Sequence, residues 1–142
     1  MPYMILNEEA TADIAFVVQE KSMKNIFRTS AMALFNTLAD PKSVGKKIEK
    51  EIYLEEANPG NLLVKFLEEI VYLKDAENMV FSSVDIDFAK GEKNMLNARV
   101  FGESINPKKH KLKLDVKAVT LHMFHLKQKK DKSWEAKFVL DI

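Results

Sequence analysis

Residues 11–39 run Thr11-Ala12-Asp13-Ile14-Ala15-Phe16-Val17-Val18, then Gln19-Glu20-Lys21, then Ser22-Met23-Lys24-Asn25-Ile26-Phe27 and onward through Ala31-Met32-Ala33-Leu34-Phe35 to Leu38-Ala39. The hydrophobic period changes inside this stretch. From Thr11 to Val18 it alternates, with Ile14, Phe16 and Val18 on one side and Thr11, Asp13 and Ala15 on the other, which predicts a strand. From Ser22 to Ala39 the residues Met23, Ile26, Phe27, Ala31, Leu34, Phe35 and Leu38 fall at helical spacing, so one stripe of a helix is buried. Asp40-Pro41 ends that helix, because the residue before proline is pushed out of the α region.

Working outward, the same two periods recur. Lys46 to Glu55 reads as a mostly charged strand with Ile48, Ile52 and Leu54 inward. Asn58-Pro59 starts a second helix, Asn61 to Asp75, with Leu62, Leu63, Phe66, Leu67, Ile70, Val71 and Leu73 on its apolar side. Val80 to Phe88 and Asn94 to Phe101 alternate again, and Val116 to Gln128 with Ser133 to Ile142 form a long hairpin around the charged tip Lys129-Lys130-Asp131-Lys132. The order is β-α-β-α-β-β-β-β. Helices set among largely antiparallel strands predict an α+β sandwich in which two amphipathic helices cover a sheet.

The 142 residues, with 46% apolar and 30% charged, suit one globular domain spanning 1–142. Lysine plus arginine is 22 and aspartate plus glutamate 21, a net charge of +1, which argues against a general nucleic-acid binder. There is no cysteine, hence no disulfide, thiolate nucleophile or Cys-ligated metal. No basic leader with an apolar core follows Met1, and the apolar runs are too short to span a bilayer, so the expectation is a soluble cytoplasmic protein without a membrane partner. Gly-rich phosphate loops and the GK[ST], HExxH and GxSxG patterns are all missing, which removes the usual support for nucleotide hydrolysis and triad chemistry.

The residues that carry chemistry are few. Asp13 stands at the start of an otherwise apolar strand, where acids are disfavoured; it either caps a bend facing solvent or serves a site. Asp141 lies one residue from the end of the last strand, and the carboxylate of Ile142 adds a second anion beside it. Two or three oxygens of this kind suit a hard divalent cation, Ca²⁺ first, with Mg²⁺ or Mn²⁺ as alternatives. Trp134, Phe138, Leu140 and Ile142 should bury that strand and hold the terminus in place. Lys117, mid-strand between apolar neighbours, either snorkels to the surface or, if the last two strands pair about a turn near Lys130, falls within a few residues of the level of Asp141.

His122 and His125 are three apart, so on a regular strand they face opposite ways and share an ion only across a bulge. His122, on the parity of Thr120 and Phe124, reads as a hydrogen-bonded residue on a partly buried face. The basic run Lys108-Lys109-His110-Lys111-x-Lys113, with Lys127, Lys129, Lys130 and Lys132, reads as solvated loop or as a contact for RNA phosphates or an acidic partner.

In this order these residues resemble the archease family. Ala10-Thr11-Ala12-Asp13-Ile14-Ala15 is similar to its opening His-Thr-Ala-Asp motif, with Ala10 in the histidine position and Ala15 where glycine is common. Ala31-Met32-Ala33-Leu34-Phe35, the Leu62-Leu63 to Tyr72-Leu73 helix, Gly102-Glu103, His110 and Val116-Lys117-Ala118-Val119-Thr120-x-His122 follow its pattern, as does the closing Val139-Leu140-Asp141-Ile142. Leu121 replaces its tyrosine, and Lys113-Leu114-Asp115 its Gly-Thr-Glu. The resemblance implies an accessory protein of the GTP-dependent RNA ligase of tRNA splicing and RNA repair, promoting guanylylation and multiple turnover without a reaction of its own and meeting RNA only through the ligase. It implies a divalent metal on Asp13, Asp141 and Ile142, with Asp13 and Lys117 acting in trans. A small metal-dependent phosphate-ester hydrolase and a protein or RNA chaperone module are the alternatives.

Overall fold

Ser22 and Asn58 decide where the two helices begin. The Ser22 hydroxyl accepts the Asn25 N–H at 3.2 Å and opens α1 (Met23–Leu38). Asn58 Oδ1 accepts from the N–H groups of Gly60 (2.7 Å) and Asn61 (3.2 Å) and, with Pro59 in the first turn, opens α2 (Pro59–Glu77). The first helix stops at extended Ala39, ahead of a 3-10 turn at Pro41–Ser43; the second stops at left-handed Asn78, φ 53°.

The structure, a computed structural model, describes residues 3–6 and 13–142. Its strands are β1 (Tyr3–Leu6), β2 (Asp13–Glu20), β3 (Ile48–Glu56), β4 (Met79–Lys90), β5 (Asn94–Ser104), β6 (Ala118–Gln128) and β7 (Trp134–Asp141). They form a four-stranded sheet, β1-β2-β7-β6, and a three-stranded sheet, β3-β5-β4, antiparallel throughout. Thr11 and Ala12, the expected start of β2, lie outside the described residues together with Ala10. Among the described residues no helix is long and apolar enough to cross a membrane.

The helices do not simply cover one sheet, as the periodicity suggests; they lie between the two. Helix α1 packs on β2 and β7 on one side and on β4 on the other, while α2 packs on β6 and on the three-stranded sheet. This explains why Thr29, Ser30 and Ala33, off the apolar stripe of α1, are buried as well. Aromatic rings join the layers: Phe27 meets Phe66 at 5.8 Å and Phe88 at 5.6 Å, and Phe35 stacks on Phe81 at 4.9 Å. Within the four-stranded sheet Phe16 stacks on Phe138 at 5.3 Å, and truncating either buried ring to alanine costs about 3–5 kcal/mol.

Two strands differ from the sequence expectation. Strand β1, four residues and too short to show a period, adds an edge whose Tyr3 ring meets Phe16 at 5.6 Å. Strand β6 begins at Ala118 instead of Val116 and is broken after Thr120, because Thr120 pairs with Val139 and His125 with Lys137. Four residues, Leu121 to Phe124, therefore oppose Phe138 alone.

The β4–β5 ladder shifts register between Phe81 and Ser83, opposite Gly102. A Cβ on Gly102 would lie 2.0 Å from the Val80 carbonyl oxygen and 3.0 Å from the Phe81 Cα. Both are main chain and neither can swing aside, so Gly102→Ala should destabilise the fold by about 3 kcal/mol, read as a lowered midpoint in urea.

Candidate functional site around the paired carboxylates

The β2–β7 ladder begins with Asp13 opposite Asp141 and continues through Ile14–Leu140 and Phe16–Phe138. Directly opposed residues of antiparallel strands share a face, with Cβ atoms about 5 Å apart. Two acids separated by nearly the whole chain therefore stand side by side, both half-buried. On the next strand Ala118 faces Asp141, and the Lys117 N–H donates to the Asp141 carbonyl at 2.7 Å. Consecutive residues that address a single partner make a local bulge, and it brings Lys117 level with the acids at one end of the sheet. The Lys117 side chain is exposed, while Ile142 packs half-buried against the core.

Like charges directly opposed across strands repel, and a cation between the carboxylates would relieve the pair. Oxygen-only donors suit a hard cation. Among the described residues no three His, Cys, Asp or Glu side chains gather in one metal-holding group. The donor chemistry fits a divalent cation.

Lys117 is placed by residues 105–117, which carry little regular structure yet are tied along their length. Ile105 N–H donates to the Asn78 carbonyl, Lys113 N–H to that of Leu38 and Leu114 N–H to that of Thr37, and Leu112 bridges Ala39. Lys74, buried at the end of α2, donates to Asp115 Oδ1 and, at 2.9 Å, to the Val116 carbonyl, and pairs with Asp75 at 2.7 Å. Burial lowers the pKa of that ammonium, but the carboxylates of Asp115 and Asp75 outweigh it and leave the pKa raised.

The other end of the segment is fastened to buried Glu103. Its carboxylate accepts from Gly45 N–H, from Lys109 Nζ at 2.9 Å and from His110 Nε2 at 3.0 Å. The Asn106 N–H donates to His110 Nδ1 at 2.9 Å, so the ring proton sits on Nε2 and is given to Glu103. The basic run is thus not one solvated stretch. His110 turns inward, whereas Lys109 and Lys113, though exposed, donate to Glu103 and to Asn36 Oδ1, and Lys108 and Lys111 are exposed as well. Sequence reasoning missed these roles because Glu103, Lys74 and Asp115 lie far apart in the chain and follow no spacing rule.

The histidines also depart from expectation. His122 is exposed rather than partly buried, and its N–H donates to Thr120 Oγ1 at 2.9 Å, because the extra residues of β6 lift it off the sheet. His125 contacts Glu135 Oε2 at 2.9 Å, with Gln19 donating to the other oxygen. The bulge that a shared ion would need is present, yet these side chains form no metal group among the described residues.

The two-sheet, helix-centred α+β fold defines the class of protein to which this one is similar. The model of the archease protein family (MTH1598/TM1083) matches residues 3–142. "Protein archease" of Pyrococcus furiosus is 35% identical over 135 residues, covering 94% of this chain and 95% of that protein. That of Methanosarcina mazei is 31% identical, covering 94% and 92%. The solution structure of Methanobacterium thermoautotrophicum protein 1598 superposes with a TM-score of 0.85 at 25% identity, covering 99% of each chain. The chain belongs to the archease family.

Lys109, the Gly45 N–H and His110 hold the Glu103 carboxyl down from 4.5 to about 2. A depressed acid stabilises the fold fully above its unfolded pKa, and that contribution fades as pH falls from 4.5 toward 2. Glu103→Gln should therefore lower stability at neutral pH and flatten its decline on acidification, measured by urea denaturation at pH 7 and pH 3.

Proposed function

We propose that the protein activates a GTP-dependent RNA ligase of tRNA splicing and RNA repair, helping it become guanylylated and turn over repeatedly, without catalysing a reaction of its own. Family membership supports an accessory role in RNA ligation and tRNA processing in general. The observation that carries the finer reading is the register that sets Asp13 against Asp141 with Lys117 hydrogen-bonded to the same residue. A net charge of +1 agrees with RNA being met through the ligase, in a cytoplasmic setting, rather than gripped directly.

Asp13 and Asp141, with the Ile142 carboxylate in this chain, would hold the divalent cation, Ca²⁺ first and Mg²⁺ or Mn²⁺ as alternatives. Bound there, such an ion supplies positive charge for nucleotide phosphates. The half-buried carboxylates orient at the sheet end because the ladder fixes their backbone. Lys117, exposed and held by its N–H to Asp141, presents an ammonium to developing negative charge on a phosphate of the docked ligase. Phosphoryl transfer itself stays in the ligase.

Asp13→Ala and Lys117→Ala should each abolish stimulation of multiple-turnover ligation while leaving the fold intact by circular dichroism. Normal stimulation by both variants would overturn the proposal, and nucleotide turnover by the protein alone would replace it with the hydrolase reading. Asp141→Asn should weaken divalent-cation binding by about tenfold or more in calorimetry, since one charged ligand is lost; unchanged affinity would remove Asp141 from the ligand set.

A further inference from the structure

The β2–β7 ladder runs from Asp13–Asp141 at one end to Glu20–Trp134 at the other, about 23 Å away at the rise of an extended strand. The first end holds the acid pair. At the second, Lys21 follows β2, and the turn between β6 and β7 carries Lys129, Lys130 and Lys132. Residues 20–28 and 127–135 together hold seven lysines and arginines against three acids, in a chain whose net charge is +1. Asp87, which shares a groove with Lys24, reduces that local surplus from four to three. Charge is therefore polarised along the strands of the sheet.

The acids at this end are engaged within the fold. Glu20 accepts from the Thr29 hydroxyl at 2.6 Å, Asp131 from the N–H and hydroxyl of Ser133, and Glu135 from Gln19 at 2.9 Å, with His125 and Lys127 beside it. Among the described residues Lys21, Lys129, Lys130 and Lys132 have no salt-bridge partner, and all four are exposed. The turn closes through Lys129 N–H to the Ser133 carbonyl at 2.7 Å and Lys132 N–H to the Lys129 carbonyl at 3.0 Å. Lys132 takes φ 75°, the left-handed region where glycine or asparagine is the unstrained residue. Turn chemistry does not select lysine there, and a turn closed on itself exposes no strand edge for charge to protect. What these lysines share is unneutralised charge.

We infer that this tip, Lys129 to Lys132 with Lys21 beside it, is a contact surface for a nucleic-acid phosphate backbone. Clustered cations without counterions complement a polyanion, whose condensed counterions they release on binding. Among the described residues none of the large exposed apolar side chains lies in 20–28 or 127–135, and Trp134 packs on the core. The surface thus has nothing to insert into a bilayer or to anchor in a protein pocket, whereas phosphates ask only for charge and hydrogen-bond donors. The charges choose the phosphate backbone; the choice of RNA among nucleic acids rests on the ligase reading. About three or four such contacts hold a strand weakly at physiological salt, so RNA is still met on the ligase, with the tip adding to its hold.

The test follows a fluorescently labelled single-stranded RNA by anisotropy as the full chain is titrated in, from about 25 to 200 mM KCl. Wild type should show a slope of log affinity on log salt of about −2 to −3, as that number of neutralised phosphates gives. The tip variant Lys129→Gln/Lys130→Gln/Lys132→Asn should bind about tenfold or more weakly at low salt, with a slope of about −1 or shallower. Its changes are exposed and asparagine suits the left-handed position, so it should fold, with Tm as the control. Lys129→Arg/Lys130→Arg/Lys132→Arg should bind as wild type, and so should Lys108→Gln/Lys111→Gln, which removes exposed cations elsewhere. A tip variant that binds RNA as wild type overturns the inference, as does a Lys108→Gln/Lys111→Gln variant that loses as much. Wild type that binds polyglutamate but not RNA overturns it too and assigns the tip to an acidic protein. In multiple-turnover ligation the tip variant should raise the KM for RNA and leave kcat at its stimulated value, whereas Lys117→Ala should bind RNA as wild type and fail to stimulate. Wild type that binds RNA through the tip without stimulating the ligase overturns the ligase reading and leaves the phosphate contact standing.

Discussion

The antiparallel pairing of β2 with β7 is the constraint on which the rest depends. It joins residues 13–20 to residues 134–141 in one register, from Asp13–Asp141 to Glu20–Trp134. Because side chains alternate along a strand, a slip of one residue would turn every inward group outward. The register is therefore held by what it buries: Phe16 on Phe138, Val18 beside Ala136, and Leu140 in the same core. The packing that stabilises the sheet is also what brings Asp13 to Asp141. The carboxylates repel each other, and the ladder beneath them keeps them together.

A second layer of organisation sets the lysine. Residues 105–117 lack a sheet or helix of their own, so their polar backbone finds partners on neighbouring elements, at Asn78, Thr37 and Leu38. Two charged clusters secure the ends. Glu103 gathers Lys109, His110 and the Gly45 N–H near the beginning, and Lys74 gathers Asp115 and the Val116 carbonyl just before Lys117. These are buried or partly buried pairs in which removing one partner strands the other, so their loss would move the segment rather than merely soften it. The site thus depends on contacts remote from its own chemistry.

The break in β6 shows a different relation between local pattern and tertiary demand. Thr120 and Phe124 have the same parity and read as one face of a strand, yet Leu121 to Phe124 leave the ladder, which resumes at His125, and Phe124 packs back against the core. The extra length must go outward, because the sandwich has no room for it between α2 and β7. What reaches solvent is Leu121, His122 and a left-handed Met123, whose sulfur lies 4.0 Å from Lys137 Nζ.

Much of this was legible in the residues themselves. The alternation of Ile14, Phe16 and Val18, the helical stripe from Met23 to Leu38, the stops at Asp40-Pro41 and Asn58-Pro59 and the final hairpin are local patterns, and local sterics and burial are enough to set them. Asp13, Lys117 and Asp141 also stood out, since charged groups in apolar strands are costly enough to notice. The resemblance put Asp13 and Asp141 on one metal, but the helices lying between two sheets, the register that opposes those acids, the Lys74 and Glu103 clusters and the extruded turn of β6 could not be read there. Each is a contact between segments distant in the chain, chosen by how the whole set of apolar faces packs and how buried polar groups find partners. Sequence by itself determined which segments are strands and helices and which side of each is apolar. Only the tertiary structure decided which acids meet, because cross-strand register is a property of two segments together and is settled by the core they share.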